Sequence, residues 1–211
     1  LSELDITTRT IEIKNLISFI RSIEDSPQIF ILEKFVKKGY LIADINLKFD
    51  QKGNIKDDFI IKGFVKDGEV KPLKKINLSK INLIFNLQNN KFEFKDINLS
   101  YDNNDLNFPE LNIKKQKNKF LVSGKNNSKN LVLDNKKINQ LLNIDFSNLK
   151  INSAEFDLSN TFSFKIDNKY KIDDFKIDSL MNLKNSKVVS SKNLKEFFPE
   201  LNDIIELSDH Q

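Results

Sequence analysis

The sequence predicts a mainly β fold with a few short helices, a β-rich α+β class built on long antiparallel strands. Three observations carry that prediction. Apolar and polar residues alternate with a period of two over most of the chain, as where Leu41, Ala43, Ile45, Leu47 and Phe49 interleave with Asp44, Asn46, Lys48 and Asp50. Short clusters of Asn, Asp and Gly interrupt the alternation where hairpin turns are needed. The tripeptide Ile-Asn-Leu recurs at Ile45, Ile76, Ile81 and Ile97, so the pattern belongs to the whole chain.

Two helices precede the long strands in this reading. Leu16, Ile17, Phe19, Ile20 and Ile23 lie close to the 3.6 spacing of an amphipathic helix. Asp25 and Ser26 before Pro27 read as an N-cap followed by proline at the first helical position, and a second helix from about Pro27 to Lys38 is expected to stop at Gly39. From Tyr40 the period becomes two. Residues 51–54 turn around Gly53, and the next strand holds Phe59, Ile61, an interior Gly63 and Val65, with a break at Asp67 and Gly68. Pro72 marks a connection unsuited to a central strand.

The strand KINLIFNL places Ile81, Leu83, Phe85 and Leu87 on one face, and a polar loop from Gln88 to Lys91 leads into FEFKDINLSY. There the apolar residues change parity between Phe94 and Ile97, which predicts a bulge or bend at Lys95 and Asp96, because a one-residue slip turns every later side chain to the other face. LNFPELNI repeats the shift around Pro109, and FLVSG closes the run at Gly124. A short helix is expected from Asp134 through Leu142, then strands with another parity shift between Ile151 and Ala154, then Phe162, Phe164 and Ile166, and Tyr170, Ile172, Phe175 and Ile177. A last helix is expected over about Asn193 to Leu207. The resulting division is 1–39 strand and helical lead-in, 40–133 first sheet unit, 134–148 connecting helix, 149–190 second β segment, and 191–211 C-terminal helix leading into a further unit.

Composition narrows the chemistry. The 211 residues suffice for one large or two small domains, and the start at Leu1 suggests a piece of a longer chain. No apolar run reaches a membrane-spanning length and no signal peptide is present, so an anchor or export signal is expected outside these residues. Of the 34 basic residues only Arg9 and Arg21 are arginines, and the 30 acidic residues are interleaved with the lysines, which argues against nucleic acid as a partner. The absence of cysteine and the single His210 leave no thiolate metal site, no thiol nucleophile and no Ser-His-Asp triad. The adjacent carboxylates Asp57–Asp58 and Asp173–Asp174 are read as solvated strand or turn residues, since neighbours in a strand point to opposite faces. DNNDLN at 102–107 offers oxygen ligands but lacks the glycine and distal glutamate of an EF-hand, and reads as a hairpin turn. The 18 phenylalanines against three tyrosines and no tryptophan leave two readings, an ordinary β core or an apolar groove open to acyl chains.

The order of parts resembles a known family. A pair of helices ending in FVKKGYLIADINLKF, then INLSKINLIFNLQNNKFEFKDINLSYDNNDLNFPELNI and FLVSGK, is similar to the repeating unit of the large AsmA-like proteins of Gram-negative envelopes, the YhdP and TamB type, over residues 14–133. The resemblance implies a long, strongly curved antiparallel sheet forming an open groove, with helices at the start of each repeat unit. It also implies a bridge-like lipid transfer protein, anchored in the inner membrane by a segment outside these residues, spanning the periplasm and moving phospholipid between inner and outer membrane. Such a protein is not an enzyme and needs no cofactor or metal; its partners are phospholipid acyl chains and the two membranes. Leu41, Ile45, Leu47, Phe49, Ile81, Leu83, Phe85, Leu87, Ile97, Leu99, Phe162 and Phe164 are the candidate groove wall. The competing expectation is a structural or adhesive β-rich envelope module with a filled core and no lipid.

Overall fold

The computed structural model describes residues 3–23, 27–54, 56, 58–73, 76–116, 119–133, 149–167, 169 and 171–190. Along the chain run β1 (Glu3–Thr7), β2 (Ile11–Glu12), α1 (Ile13–Ile23), α2 (Pro27–Phe35), β3 (Val36–Lys48), β4 (Ile60–Leu73), β5 (Ile76–Gln88), β6 (Lys91–Tyr101), β7 (Asn104–Gln116), β8 (Lys119–Leu133), β9 (Leu149–Asp167) and β10 (Ile172–Ser190). The strands make one antiparallel sheet in the order β1-β3-β4-β5-β6-β7-β8-β9-β10, with β2 also on β3, and the path does not close. Two compact units divide the chain, Leu1–Lys129 with Leu158–Leu180, and Asn130–Asp157 with Met181–Gln211. The helices expected at 134–148 and 191–211, and the N-cap at Asp25 and Ser26, lie outside the described residues.

Helix α1 packs through Ile17, which is buried, while Phe19 lies off the packed stripe at 64% exposure. Arg21 joins the helices, pairing with Glu33 and lying 5.0 Å above the ring of Phe30. Proline does open α2 at Pro27, but the helix ends at Phe35 and Gly39 is no stop signal. Gly39 lies inside β3 with φ +138, and a Cβ there would come within 2.9 Å of the Gly68 Cα. The glycine is needed for that close crossing of β3 and β4, a role which sequence alone cannot separate from a helix C-cap.

A recurring device shapes the long strands. Asp67, Lys80 and Asp96 all have φ +51, a left-handed conformation in the middle of β4, β5 and β6 respectively. Each coincides with a register shift, between Val65 and Gly68, between Ser79 and Asn82, and between Lys95 and Asn98. The sequence-predicted bulge at Lys95 and Asp96 is therefore present. At Asp67 and Gly68 the expected break is instead a bulge, and β4 continues through it, since a bulge bends a strand without ending its pairing. Pro72 likewise belongs to β4 and is tolerated because β3 pairs only as far as Val70, while the β5 ladder is itself shifted between Val70 and Leu73.

Ile-Asn-Leu acquires a structural meaning at these bulges. Asn82 Nδ2 donates to the Lys80 carbonyl at 2.9 Å and Asn98 Nδ2 donates to the Asp96 carbonyl at 3.1 Å, so the asparagine two residues after the left-handed residue clamps it. Asn82 Oδ1 also accepts from the Asp67 N–H at 3.2 Å, tying the bulge of β4 to that of β5. Asn107 Nδ2 donates to Asn98 Oδ1 at 2.8 Å and extends the tie to β7. On β7, Pro109 stands opposite Asp96 within an unshifted β6–β7 register, so both strands change parity at one level and remain paired. The β7–β8 Cα pairing begins just beyond the proline, at Glu110 and Lys125, and the Asn107 N–H goes to Ser128 Oγ instead.

Turns follow the expected chemistry. Asp102 (φ 49) and Asn103 (φ 65) form the β6–β7 hairpin, and Asn90 (φ 66) turns β5 into β6. Asp50 Oδ1 accepts from the N–H groups of Lys52 and Asn54, and Asp167 Oδ1 accepts likewise from Lys169 and Lys171, so the β3–β4 and β9–β10 loops share one aspartate-anchored design. Three strands are longer than the alternation suggests: β5 absorbs INLS from Ile76, β8 runs past Gly124 to Leu133, and β9 joins two segments into 19 residues.

Two pairs of substitutions probe this architecture. Asp96→Val should lower stability by about 2 kcal/mol, because a β-branched residue resists positive φ, whereas Asp96→Gly should stay within about 1 kcal/mol of the parent. Gly63→Ala should cost about 2 kcal/mol or more, since its Cβ would collide with the Ile42 carbonyl oxygen, while Gly53→Ala, in open space at φ +84, should cost about 1 kcal/mol. Urea midpoints measured on the four variants check both rankings.

Candidate functional site

Cα partners in an antiparallel ladder share a face, so the registers define what each face of the sheet carries. One row runs Ile6, Ile45, Ile61, Leu87, Phe92, Ile113, Val122 across β1 and β3 to β8. A second runs Ala43, Gly63, Phe85, Phe94, Leu111, Gly124, and a third Leu41, Val65, Leu83. Asn82 faces Asn98 on the reverse side, which leaves Ile81, Leu83, Ile97 and Leu99 with the apolar rows; beyond them Ile97 meets Phe108 and Leu99 meets Leu106. On β9 the Phe162 ring lies over Gly124, whose Cβ would come within 2.8 Å of it, and stacks on Phe164 with centroids 6.4 Å apart. Phe164 in turn meets Phe175 of β10 at 6.4 Å.

Of the sequence-predicted wall residues, Leu41, Ile45, Leu47, Ile81, Leu83, Phe85, Leu87, Ile97, Leu99, Phe162 and Phe164 project to this apolar face. Phe49 lies just past the end of β3 in an isolated bridge. Ile61, Val65, Phe92, Phe94, Leu106, Phe108, Leu111, Ile113 and Val122 join the same face although sequence reasoning did not include them; the alternation that found the others marks them equally. Most of the face is half-buried, and among the described residues the buried apolar side chains are only Ile17, Ala43, Ile81, Phe85, Ile97, Val122, Leu131 and Phe156. Asn126 and Ser128 also sit on it, buried at 4% and 1% exposure. Their segment, GKNNSKN, lacks apolar alternation, and nothing in the sequence distinguished it from a loop.

The reverse face is charged, with one apolar row, Ile42, Phe64 and Ile84, the last two 44% and 49% exposed. Beside it a hollow of about 430 Å³ is bordered by Asp44, Lys62, Glu93 and Lys95. The carboxylates weighed for catalysis are held in ion pairs: Lys119 Nζ is 2.6 Å from Asp173, Lys165 Nζ is 2.6 Å from Asp174, and Lys48 Nζ is 2.9 Å from Asp58. Asp57 lies outside the described residues. DNNDLN is a hairpin turn, with Asp105 accepting from the Ser100 hydroxyl. No group of three or more His, Cys, Asp or Glu is placed to hold a metal among the described residues, and no described helix is long and apolar enough to cross a membrane.

The hydrogen bond and charge of Lys119 hold the Asp173 carboxyl below the usual aspartate range, and those of Lys165 do the same for Asp174; Asp173 reciprocally raises the Lys119 ammonium. The chain matches no family model, no curated protein and no solved structure. A carboxyl with a lowered folded-state pKa contributes stability that is fully present above the unfolded aspartate value and is lost as pH falls through the folded one. The raised lysine behaves oppositely, its contribution disappearing only as pH rises through its folded value. Urea midpoints should therefore fall from pH 7 to pH 3, and fall less in an Asp173→Asn, Asp174→Asn double variant. An identical acid loss in that variant would show that the two pairs contribute nothing.

Proposed function

We propose that this chain is a lipid-carrying segment of an AsmA-like envelope protein, in which phospholipid acyl chains lie along the apolar face of the sheet and pass between inner and outer membrane. The observation that carries the reading is the row from Ile6 to Val122, which crosses seven strands without a polar interruption. In this reading the face is the wall of a groove in a curved sheet, and the segment works in the periplasm, held to the inner membrane by a part of the protein outside these residues.

The physical chemistry supports it. Transfer of an acyl chain from water to such a face gains about 0.8 kcal/mol per methylene, or about 8 kcal/mol for a ten-carbon length. Neighbouring rows carry the same kinds of side chain, so successive positions along the wall differ little in energy and a chain can slide. The half-buried state of the rows suits this role, since a fully packed core would leave no surface for the ligand. The role needs no nucleophile, metal or general base, in keeping with carboxylates committed to lysines.

Native mass spectrometry of the purified chain, with photo-crosslinking to a phospholipid bearing a diazirine acyl chain, tests the reading. The parent should carry phospholipid. Leu83→Asp, placed on a half-buried position of the wall, should cut crosslinking at least tenfold while the far-ultraviolet circular dichroism is unchanged. A parent with no lipid and an undisturbed fold would instead favour the structural or adhesive module, and a variant that crosslinks as well as the parent would remove the apolar face from the account.

A further inference from the structure

The apolar face carries a polar notch on β8 and β9. Gly124 stands on that face opposite Leu111, and β8 keeps strict alternation from Gly124 through Asn126 to Ser128, so both polar residues project to the same side. On β9, Phe162 lies over Gly124 and Ser159 Oγ donates to Asn127 Oδ1 at 2.7 Å. These contacts share one antiparallel offset, which sets Asn160 opposite Asn126 on the apolar face, at the Cα separation of about 5 Å usual for such partners.

The hydrogen bonding of the notch is incomplete in a definite way. Asn126 Nδ2 donates to Ser128 Oγ at 2.9 Å and the Asn107 N–H donates to the same oxygen at 3.1 Å, so the serine's lone pairs are occupied and its hydroxyl hydrogen remains to donate. Asn126 Oδ1 and Asn160 Oδ1 are buried and accept from no group. A buried amide oxygen left without a donor is unfavourable, and a ligand donor would relieve it. The flanking residues on the apolar face are Val122, Gly124, Leu158 and Phe162, none of them charged.

We infer that Asn126, Asn160 and Ser128 form a binding site for a hydroxyl group carried on an apolar ligand. A hydroxyl matches the set because it donates to an asparagine oxygen and accepts from the serine, whereas an ammonium can only donate and would enter an uncharged wall at the full cost of desolvation. The inference rests on the lipid-carrying reading and sharpens it: the wall holds the chain, and the notch selects lipids with a free hydroxyl near the head end.

Monooleoylglycerol and methyl oleate share one acyl chain and differ in hydroxyl donors, so displacement of a fluorescent fatty probe by each from the full 211-residue chain reads the notch directly. Monooleoylglycerol should bind about tenfold more tightly. Asn160→Leu, at a half-buried position, should reduce that preference below twofold while methyl oleate binds as before, and Asn126→Leu should do the same if it folds. Equal binding of the two ligands by the parent, or a preference that survives Asn160→Leu, overturns the notch and leaves the wall intact. Failure of both ligands to bind overturns the lipid reading itself.

Discussion

The sheet depends on left-handed residues that restore side-chain parity within its strands. A strand keeps its apolar residues on one side only while alternation is strict, and β4, β5 and β6 each lose it midway. Placing a non-glycine residue at φ near +51 costs about 1–2 kcal/mol. Without it, Ile97 and Leu99 of β6 would turn to the charged face, giving up about 1.5–3 kcal/mol for each side chain so exposed. The bulge is therefore favoured, and the asparagine clamps at Asn82 and Asn98 reduce its cost further by satisfying the carbonyls of Lys80 and Asp96.

The bulges are coupled. Gly39 meets Gly68, Asn82 bonds the Asp67 N–H, Asn82 faces Asn98, Asn98 bonds Asn107, and Pro109 stands opposite Asp96. A bulge in one strand alone would misalign its neighbour by a residue; a line of them across β3 to β7 changes the parity of adjacent strands together. The apolar rows can then continue on both sides of the line, which ties the Ile-Asn-Leu copies at Ile81 and Ile97 to topology: each isoleucine is the first residue returned to the apolar face, and the asparagine behind it secures the return.

Much of this was legible in the sequence, because a parity shift between apolar residues is directly visible. The shifts from Phe94 to Ile97 and around Pro109 point to their bends, and the apolar-face residues from Leu41 to Phe164, Phe49 apart, follow from alternation. Three features were not legible for physical reasons. Gly39 has two structural uses that look alike in one sequence. Pro72 is excluded from central strands only where a neighbour needs its N–H, and β3 has ended before reaching it. Asn126 and Ser128 are buried although their own segment carries no apolar residue, and Ser128 meets the distant Asn107 N–H, so their sequence neighbourhood gives no hint of burial.

In the proposed lipid-carrying role, an apolar wall and a polar notch would act differently on a moving ligand. Rows of similar composition would give a nearly level free-energy profile, on which a bound acyl chain would have no preferred stopping point. One hydrogen-bonding position adds a well of about 0.5–1.5 kcal/mol, comparable with thermal energy and too shallow to trap the ligand. That depth suffices to bias which molecules dwell there. Under the proposed lipid-carrying role, the unpaired oxygens of Asn126 and Asn160 would supply selectivity, since a sequence under pressure for stability alone could replace Asn160 with any apolar residue of similar volume.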